Sequence, residues 1–315
     1  MTNRSRPNVD LSIKLGALSL SNPVLVASGT FGAGREGAAF VDITRLGGVI
    51  VKSMTLVPWK GKPTPRMCET PSGMLNAIGI QNKGVENFIS EDLPWLIKRG
   101  VTVIASIAGN TVDEFVRVAD KIRLGGNRVA AVEINISCPN LEDRNNMFAH
   151  SSEATAAVVG RVKASLKRIP VFAKLSPNVT SLEEIAGAAV DAGADGLSLI
   201  NTVFGMAIDT ETRRPKLAGT VGGLSGPAIR PIAVRAVHEV HRALPHVPII
   251  GQGGITSSDD ALELILAGAS AVAVGTANFF SPGTALQVVE GVAAYMTRHG
   301  IASVDELVGS VKLEG

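Results

Sequence analysis

The chain has few cysteines, little net charge and no long apolar run, and each of these shortages excludes a class of protein. Its 315 residues contain two cysteines, Cys68 and Cys138, which lie far apart and match no metal-ligand spacing. A disulfide scaffold or an iron–sulfur cluster held by this chain is therefore not expected, and such a composition suits a reducing cytoplasm. The formal net charge is +2 and no basic run contains interleaved aromatic residues, so we expect no nucleic-acid partner.

The apolar runs are short and are interrupted by glycine, although 45% of the residues are hydrophobic. Because none is long enough to span a bilayer, we expect no membrane segment. Residues 1–7 are basic, but the apolar segment of about 7–15 residues that a secretory signal requires does not follow them. We interpret the five histidines as surface residues, so no metal site is expected. These features predict a cytoplasmic protein.

Short β-branched apolar runs alternate with longer amphipathic segments. Such runs are typical of parallel strands covered on both faces, and the pairs Thr111/Glu114 and Ser181/Glu184 predict helix starts between them. Eight strands with intervening helices predict one (β/α)₈ TIM barrel over residues 1–315. A doubly wound open sheet is the alternative, but no Gly-x-Gly-x-x-Gly motif follows the first strand. The predicted strands are residues 23–27, 48–52, 101–106, 129–137, 171–175, 196–201, 247–251 and 271–275.

Three connections are longer than a simple turn. Residues 53–81 hold four prolines and are too long for a βα connection, so we expect them to wrap over the C-terminal mouth of the barrel. Residues 202–226 form a second excursion that is rich in Gly, Arg and Pro. Residues 141–151 follow the only cysteine at a strand end, and we interpret them as a mobile lid.

The fourth predicted strand runs out into Asn135-Ile136-Ser137-Cys138-Pro139-Asn140. In a parallel α/β protein, the carboxyl ends of the strands are where ligands bind. A thiol there can act as a base or nucleophile, and Asn135 and Asn140 can hold a planar polar ligand against it. The alternative is a buried cysteine that acts as a small hydrophobe, with Pro139 ending the strand. The flanking amides favour the functional interpretation.

Two glycine turns follow the last two strands, namely Gly251-Gln252-Gly253-Gly254 and Gly275-Thr276. Glycines expose backbone N–H groups, and the phosphate site of a barrel is usually built from these two loops. The alternative is that each is only a tight turn that requires a positive φ. The presence of the pattern in both loops favours phosphate binding.

Lys52 and Lys174 lie at or near the ends of the second and fifth strands, where a charged side chain needs a partner or a ligand unless it reaches solvent. If the phosphate belongs to flavin mononucleotide (FMN), a lysine beside the ring can stabilise the anionic reduced flavin. Amides and hydroxyls suit a ring with alternating N–H and C=O groups, because an amide both donates and accepts. Such side chains gather at the same end of the barrel at Asn76, Asn82, Asn110, Asn201 and Thr202.

With these motifs assembled, residues 22–281 resemble the catalytic subunits of class 1 dihydroorotate dehydrogenases. The resemblance implies oxidation of dihydroorotate to orotate in pyrimidine synthesis, with bound FMN taking the hydride. It also implies that Cys138 is the general base that removes the C5 proton. The motifs that carry it are residues 27–32, 51–53, 76–82, 135–140, 173–178 and 200–202 together with the two glycine turns.

Residue by residue, the resemblance implies two overlapping sets of contacts. The substrate would contact Lys52, Asn76, Ile78, Gly79, Ile80, Asn135, Asn140, Asn201 and Thr202. FMN would contact Ser28, Lys52, Ser53, Asn110, Asn135, Lys174, Ile200, Gly226, Gly253, Gly254, Gly275 and Thr276.

Within class 1, the motifs at residues 76–82 and 135–138 are more similar to the 1B type than to the fumarate-using 1A type. The 1B type implies a homodimer of this chain joined by a second subunit, which carries FAD and a 2Fe–2S cluster and passes electrons to NAD⁺ in a heterotetramer. Two cysteines are too few for that cluster to lie on this chain. The alternatives are a 1A enzyme, another dihydropyrimidine oxidoreductase, a dihydrouridine synthase or a non-catalytic ligand-binding barrel.

Overall fold

A computed structural model describes residues 9–126, 128–137 and 148–313 of the chain. Eight parallel strands close into a barrel in chain order, with the eighth strand hydrogen-bonded to the first. The predicted barrel is thus confirmed, and the open sheet is excluded. The barrel strands are Val24–Val26, Gly48–Ile50, Val103–Ile107, Ala131–Asn135, Val171–Lys174, Gly196–Leu199, Ile249–Gln252 and Ala271–Val274.

All residues of these strands except Asn135 are buried. Helices cover the outside of the barrel while side chains fill its interior, which is why the sequence shows continuous apolar runs rather than alternation. The α-helices of the described residues are α1 (Arg35–Ala38), α2 (Gly84–Asn87), α3 (Leu93–Ile97), α4 (Val112–Leu124), α5 (Ser152–Leu166), α6 (Leu182–Asp191), α7 (Arg230–Ala243), α8 (Ser258–Ala267), α9 (Ala277–Phe280) and α10 (Thr284–His299).

Both helix starts that were predicted from cap patterns are confirmed. The Thr111 hydroxyl accepts the Glu114 N–H at the start of α4, and Ser181 does the same for Glu184 at α6. The Glu114 carboxylate does not bond back to the backbone N–H of Thr111, as a full capping box would require. It accepts the backbone N–H of Asn110 at 2.7 Å instead. Caps of this kind satisfy N–H groups that have no partner within the helix.

The two long excursions meet in one four-stranded antiparallel sheet beside the C-terminal ends of the barrel strands. Residues 53–81 supply the strands Met67–Thr70 and Gly73–Asn76, as expected for a segment that covers the mouth. Residues 202–226 supply Val203–Gly205 and Gly222–Ser225. The predicted lid lies largely outside the described residues.

Smaller elements complete the described part of the chain. Within it, no helix combines the length and the apolar character needed to cross a membrane. The remaining strands pair as Ile13–Leu15 with Leu18–Leu20 and as Ile208–Asp209 with Arg214–Pro215. A π-helical turn, Phe88–Asp92, links α2 to α3, and 3₁₀ turns occur at Ile43–Arg45, Phe148–His150, Pro227–Ile229 and Val304–Glu306.

Candidate active site

Two adjoining cavities lie where the barrel strands end beneath the covering sheet. The central cavity has a volume of about 120 Å³, and the glycine-loop cavity has a volume of about 80 Å³. A wider groove of about 820 Å³ opens beside the central cavity. The two cavities share one wall, because both are lined by Ser28, Lys174, Asn201, Thr202 and Ser225.

The residues predicted to contact substrate come together in the central cavity. They reach it from strand ends and from the loop that follows the covering hairpin. Cys138 and Asn140 lie outside the described residues. The others, all of which line the central cavity, are Lys52, Asn76, Ile78, Gly79, Ile80, Asn135, Asn201 and Thr202.

Most residues predicted to contact FMN line the same two cavities. Asn110 is the exception, because it is exposed and lines neither of them. The central cavity has Ser28, Lys52, Ser53, Asn135 and Lys174 in its wall. The glycine-loop cavity has Ile200, Gly226, Gly253, Gly254, Gly275 and Thr276 in its wall.

A chain of hydroxyl groups runs from the central cavity into the barrel interior. The Oγ atoms of Ser28 and Ser53 lie 3.2 Å apart, and those of Ser53 and Ser106 lie 2.9 Å apart. Ser106 then donates to Oε1 of the fully buried Glu133 at 3.0 Å. The Lys174 ammonium lies 4.0 Å from the same oxygen. A buried carboxylate requires such a partner, so the lysine in the cavity wall and the glutamate beneath it form an ion pair.

Amide side chains at the ends of the fourth and sixth barrel strands are fixed by hydrogen bonds to each other and to nearby serines. Asn135 Nδ2 donates to Ser53 Oγ at 3.0 Å, while Asn135 Oδ1 accepts from Ser137 Oγ at 3.3 Å. Asn201 Nδ2 donates to Ser137 Oγ at 2.9 Å, and Asn201 Oδ1 accepts the Thr202 N–H at 2.8 Å. The polar wall of the cavity is therefore held by its own hydrogen bonds, which is the preorganisation that a binding site needs. Cys138 follows Ser137 directly in the chain.

The first glycine turn has a backbone that favours glycine. Gly253 and Gly254 have φ angles of +132° and +77°, in the region that side chains disfavour. In the wall of the same cavity, the hydroxyls of Thr276 and Ser225 lie 2.8 Å apart. The tight-turn interpretation is therefore correct for Gly253 and Gly254, which also line the glycine-loop cavity, and phosphate binding there stays a prediction.

Several residues in the cavity walls were missed from the sequence, and three of them have chemistry that bears on a ligand: Gln252, Ser225 and Phe279. Gln252 is buried, and its Nε2 has no hydrogen-bond partner among the described residues. Its position within the glycine turn was a usable signal, as was that of Ser225 beside Gly226. Phe279 lies at the rim shared by the central cavity and the groove, and its exposed side chain gave no signal in sequence. Over the described ranges, no group of three His, Cys, Asp or Glu side chains could hold a metal ion.

Asp260 supports the glycine turn indirectly, through Arg230. Its carboxylate accepts hydrogen bonds from the Thr256 hydroxyl at 2.7 Å and the Thr256 N–H at 2.8 Å, and it pairs with Arg230. Burial raises the pKa of Asp260, but these hydrogen bonds, the Arg230 charge and the bond from Ser257 outweigh burial and lower the pKa below its ordinary value. The backbone of Arg230 in turn packs against Gly254.

We expect Asp260→Asn to lower the free energy of unfolding by about 1–3 kcal/mol at neutral pH, because it weakens a buried network. A carboxyl with a lowered folded pKa stabilises the fold above the unfolded value near 3.9, and this stability is lost as pH falls through the lower folded value. Denaturant unfolding across this acid range should therefore be less pH-dependent in the variant. Asp259→Asn, at an exposed carboxylate one residue away, is the matched control. Equal pH slopes for wild type and Asp260→Asn would contradict the expectation.

Comparison with known proteins agrees with this geometry. The family model described as dihydroorotate dehydrogenase matches residues 10–296. A relative from Desulforudis audaxviator is 51% identical over 98% of this chain and 99% of its own length, and one from Geotalea daltonii is 50% identical over 96% and 99%. A Bacillus pumilus relative is 48% identical over 95% and 96%. All three are named dihydroorotate dehydrogenase B (NAD(+)), catalytic subunit. A match across almost the whole barrel, which includes every described residue of the two cavities, means that the chain belongs to the dihydroorotate dehydrogenase family.

Proposed function

We propose that the chain oxidises dihydroorotate to orotate in pyrimidine synthesis, as the catalytic subunit of an NAD⁺-linked enzyme. One observation carries the proposal: all the described residues expected to contact the substrate line a single cavity that adjoins the glycine turns. The family predicted from the motifs is the family that the comparisons find. The names of the relatives favour the B type over the fumarate-linked A type.

FMN is the cofactor that we propose for this site, since dihydroorotate dehydrogenases are flavin enzymes. The residues present suit it. Glycine backbone at residues 253, 254 and 275 lines the cavity proposed to hold the phosphate. The buried Gln252 Nε2, which has no partner within the described ranges, offers a donor there. Lys174 supplies a positive charge that both cavities share. When bound, FMN would accept the hydride that leaves C6 of dihydroorotate.

The side chains of the chain would handle orientation and the proton. Asn76, Asn135 and Asn201 would hold the pyrimidine ring, because amides match its alternating N–H and C=O groups. Cys138 would accept the C5 proton; the family resemblance and its place directly after Ser137 support this role. Lys52 would lie beside the substrate and favour negative charge in the cavity.

The electrons would leave through another protein. The word subunit in the names of the relatives implies that those enzymes contain a second chain. We propose a heterotetramer built on a homodimer of this chain, with FAD and a 2Fe–2S cluster on the partner. A cluster of that type needs four cysteine ligands, and this chain has two cysteines. The extent of the single domain over residues 1–315 and the cytoplasmic location stay predictions.

Anaerobic mixing of the purified chain with dihydroorotate tests the proposal. We expect a yellow protein whose flavin absorbance bleaches on mixing, and no bleaching would contradict the proposed substrate. Dihydrouracil is the matched control because it lacks the carboxylate of dihydroorotate. Faster bleaching with dihydrouracil would instead favour a related dihydropyrimidine oxidoreductase. A colourless protein that binds no flavin would favour a non-catalytic barrel.

The electron acceptor is tested with and without a co-expressed partner subunit. We expect NAD⁺ to be reduced only when the partner is present, because the proposal assigns the FAD and the 2Fe–2S cluster to the partner subunit. Turnover with fumarate by the chain alone would identify the A type and overturn the NAD⁺-linked assignment.

A further inference from the structure

Glu133 is a buried charged residue that the proposed reaction does not use. It lies in the fourth barrel strand, opposite Ser106 in the third strand, and is 0% exposed. Its Oε1 accepts from Ser106 and lies 4.0 Å from Lys174 Nζ, while its Oε2 has no hydrogen-bond partner among the described residues. Burial of a carboxylate is costly, and apolar side chains can fill a barrel interior without that cost.

The carboxylate determines the direction of the hydrogen bonds above it. An ionised carboxylate only accepts, and a hydroxyl has a single proton to donate. Ser106 gives its proton to Glu133, so Ser53 must be the donor in the 2.9 Å contact with Ser106. Because the Ser53 proton is then committed, Ser28 must be the donor in the 3.2 Å contact with Ser53.

The same reasoning determines the orientation of the Asn135 amide. Ser53 Oγ has no proton left for Asn135 Oδ1, so only Asn135 Nδ2 can face it, and that contact is 3.0 Å. Asn135 Oδ1 therefore points toward Ser137 and Asn201, which both donate to it. A buried charge thus sets the direction of the hydrogen bonds made by Ser53, Ser28 and Asn135 in the cavity wall.

We propose that Glu133 is a positioning residue, which acts through Ser106 and Ser53 so that Ser28 presents a lone pair rather than a proton to the cavity. Ser28 Oγ already accepts the Ser53 N–H at 3.1 Å, which leaves one lone pair for a ligand. The ligand atom that meets Ser28 must then carry a hydrogen, as a ring N–H or a hydroxyl does. The inference rests on the proposed function in taking FMN as the ligand to be measured.

A double-mutant cycle on FMN affinity tests the inference. Glu133→Gln introduces an N–H donor that allows the direction of the hydroxyl hydrogen bonds to reverse. Ser106→Ala removes the hydroxyl that links Glu133 to Ser53 without changing the charge. Ser198→Ala is the matched control, because Ser198 is also a fully buried barrel serine and its Oγ has no partner among the described residues. The measurement is the FMN dissociation constant of each apoprotein, together with its thermal stability.

We expect Glu133→Gln and Ser106→Ala each to weaken FMN binding about fivefold, the contribution of one neutral hydrogen bond. The affinity of the double variant for FMN should also fall about fivefold, because the first change has already broken the hydrogen-bond link on which the second change acts. In the Ser198→Ala background, Glu133→Gln should still weaken FMN binding about fivefold. Stability alone cannot produce this pattern, since it predicts similar losses in both backgrounds.

Two results would overturn the inference. The first is a loss of FMN affinity of about 25-fold in the double variant, which is the product of the two single losses. It would mean that Glu133 acts by charge or stability and not through Ser106. The second is no loss beyond that of Ser198→Ala. If Glu133→Gln does not fold, Glu133→Asp replaces it in the same cycle, because it keeps the charge but withdraws the carboxylate from the Ser106 hydroxyl. A wild-type chain that binds no FMN would instead overturn the proposed function, and the ligand assigned to Ser28 with it.

Discussion

Cys138→Ala is expected to keep bound FMN but to slow flavin reduction by dihydroorotate about 10²–10⁴-fold. This factor is what a positioned general base contributes, because the variant lacks the thiol proposed to accept the C5 proton. The cofactor should remain because the residues proposed to hold it lie mainly in the glycine turns and at other strand ends. The measurement is the rate of flavin bleaching after anaerobic mixing at saturating dihydroorotate.

The chain supplies its own matched control for this experiment. Cys68 lies in the covering hairpin strand Met67–Thr70, opposite Leu75, and lines neither cavity. Cys68→Ala should therefore bleach at the wild-type rate. Cys138→Ser should fall between wild type and Cys138→Ala, since a hydroxyl is a poorer proton acceptor than a thiolate. Unchanged kinetics in Cys138→Ala would remove Cys138 as the base.

The barrel was predictable because each of its strands can be recognised from the apolar character of its own residues. A strand covered on both faces must be apolar along its length, and eight such runs leave few other folds. The clustering of site residues followed from the same topology, since all the strands are parallel and their carboxyl ends meet at one face. Lys52, Asn135 and Asn201 are far apart in sequence but needed no long-range information to be placed together.

The covering sheet was not predictable in detail. Its central pairing joins Gly73–Asn76 to Gly222–Ser225, about 150 residues away, and no local pattern specifies that register. Asn110 differs from the other predicted FMN contacts, and its contact with FMN stays a prediction. It ends a strand region as a ligand contact would, but the Glu114 carboxylate captures its backbone N–H at the start of α4, and the side chain is left exposed.

Glu133 shows a second kind of failure. In the sequence it is one polar residue inside an apolar run, and nothing nearby marks it as different from a strand residue with a solvated face. Its meaning depends on Lys174, which is 41 residues further along the chain and reaches it from the next strand. Contacts between barrel strands of this kind become visible only when the register is known.

Gly254→Ala is expected to lower FMN affinity by more than tenfold. A side chain at φ +77° costs about 1–2 kcal/mol. The added Cβ would also lie 2.6 Å from the Arg230 Cβ and 2.9 Å from the Arg230 backbone, and overpacking of this kind costs about 1–3 kcal/mol. Arg230 cannot retreat easily, because it begins α7 and pairs with the buried Asp260. The loop itself must therefore move, and the glycine-loop cavity moves with it.

Gly300→Ala separates backbone strain from this displacement. Gly300 ends α10 with a φ of +71°, but an added Cβ would meet nothing within 4 Å, and the residue lines neither cavity. This variant should lose about 1 kcal/mol of stability and bind FMN as wild type does. The measurements are the FMN content after purification and the dissociation constant of the apoprotein. If Gly254→Ala bound FMN as tightly as Gly300→Ala, the backbone of the glycine turn would not hold the phosphate, and the cofactor site would have to be placed elsewhere at the mouth.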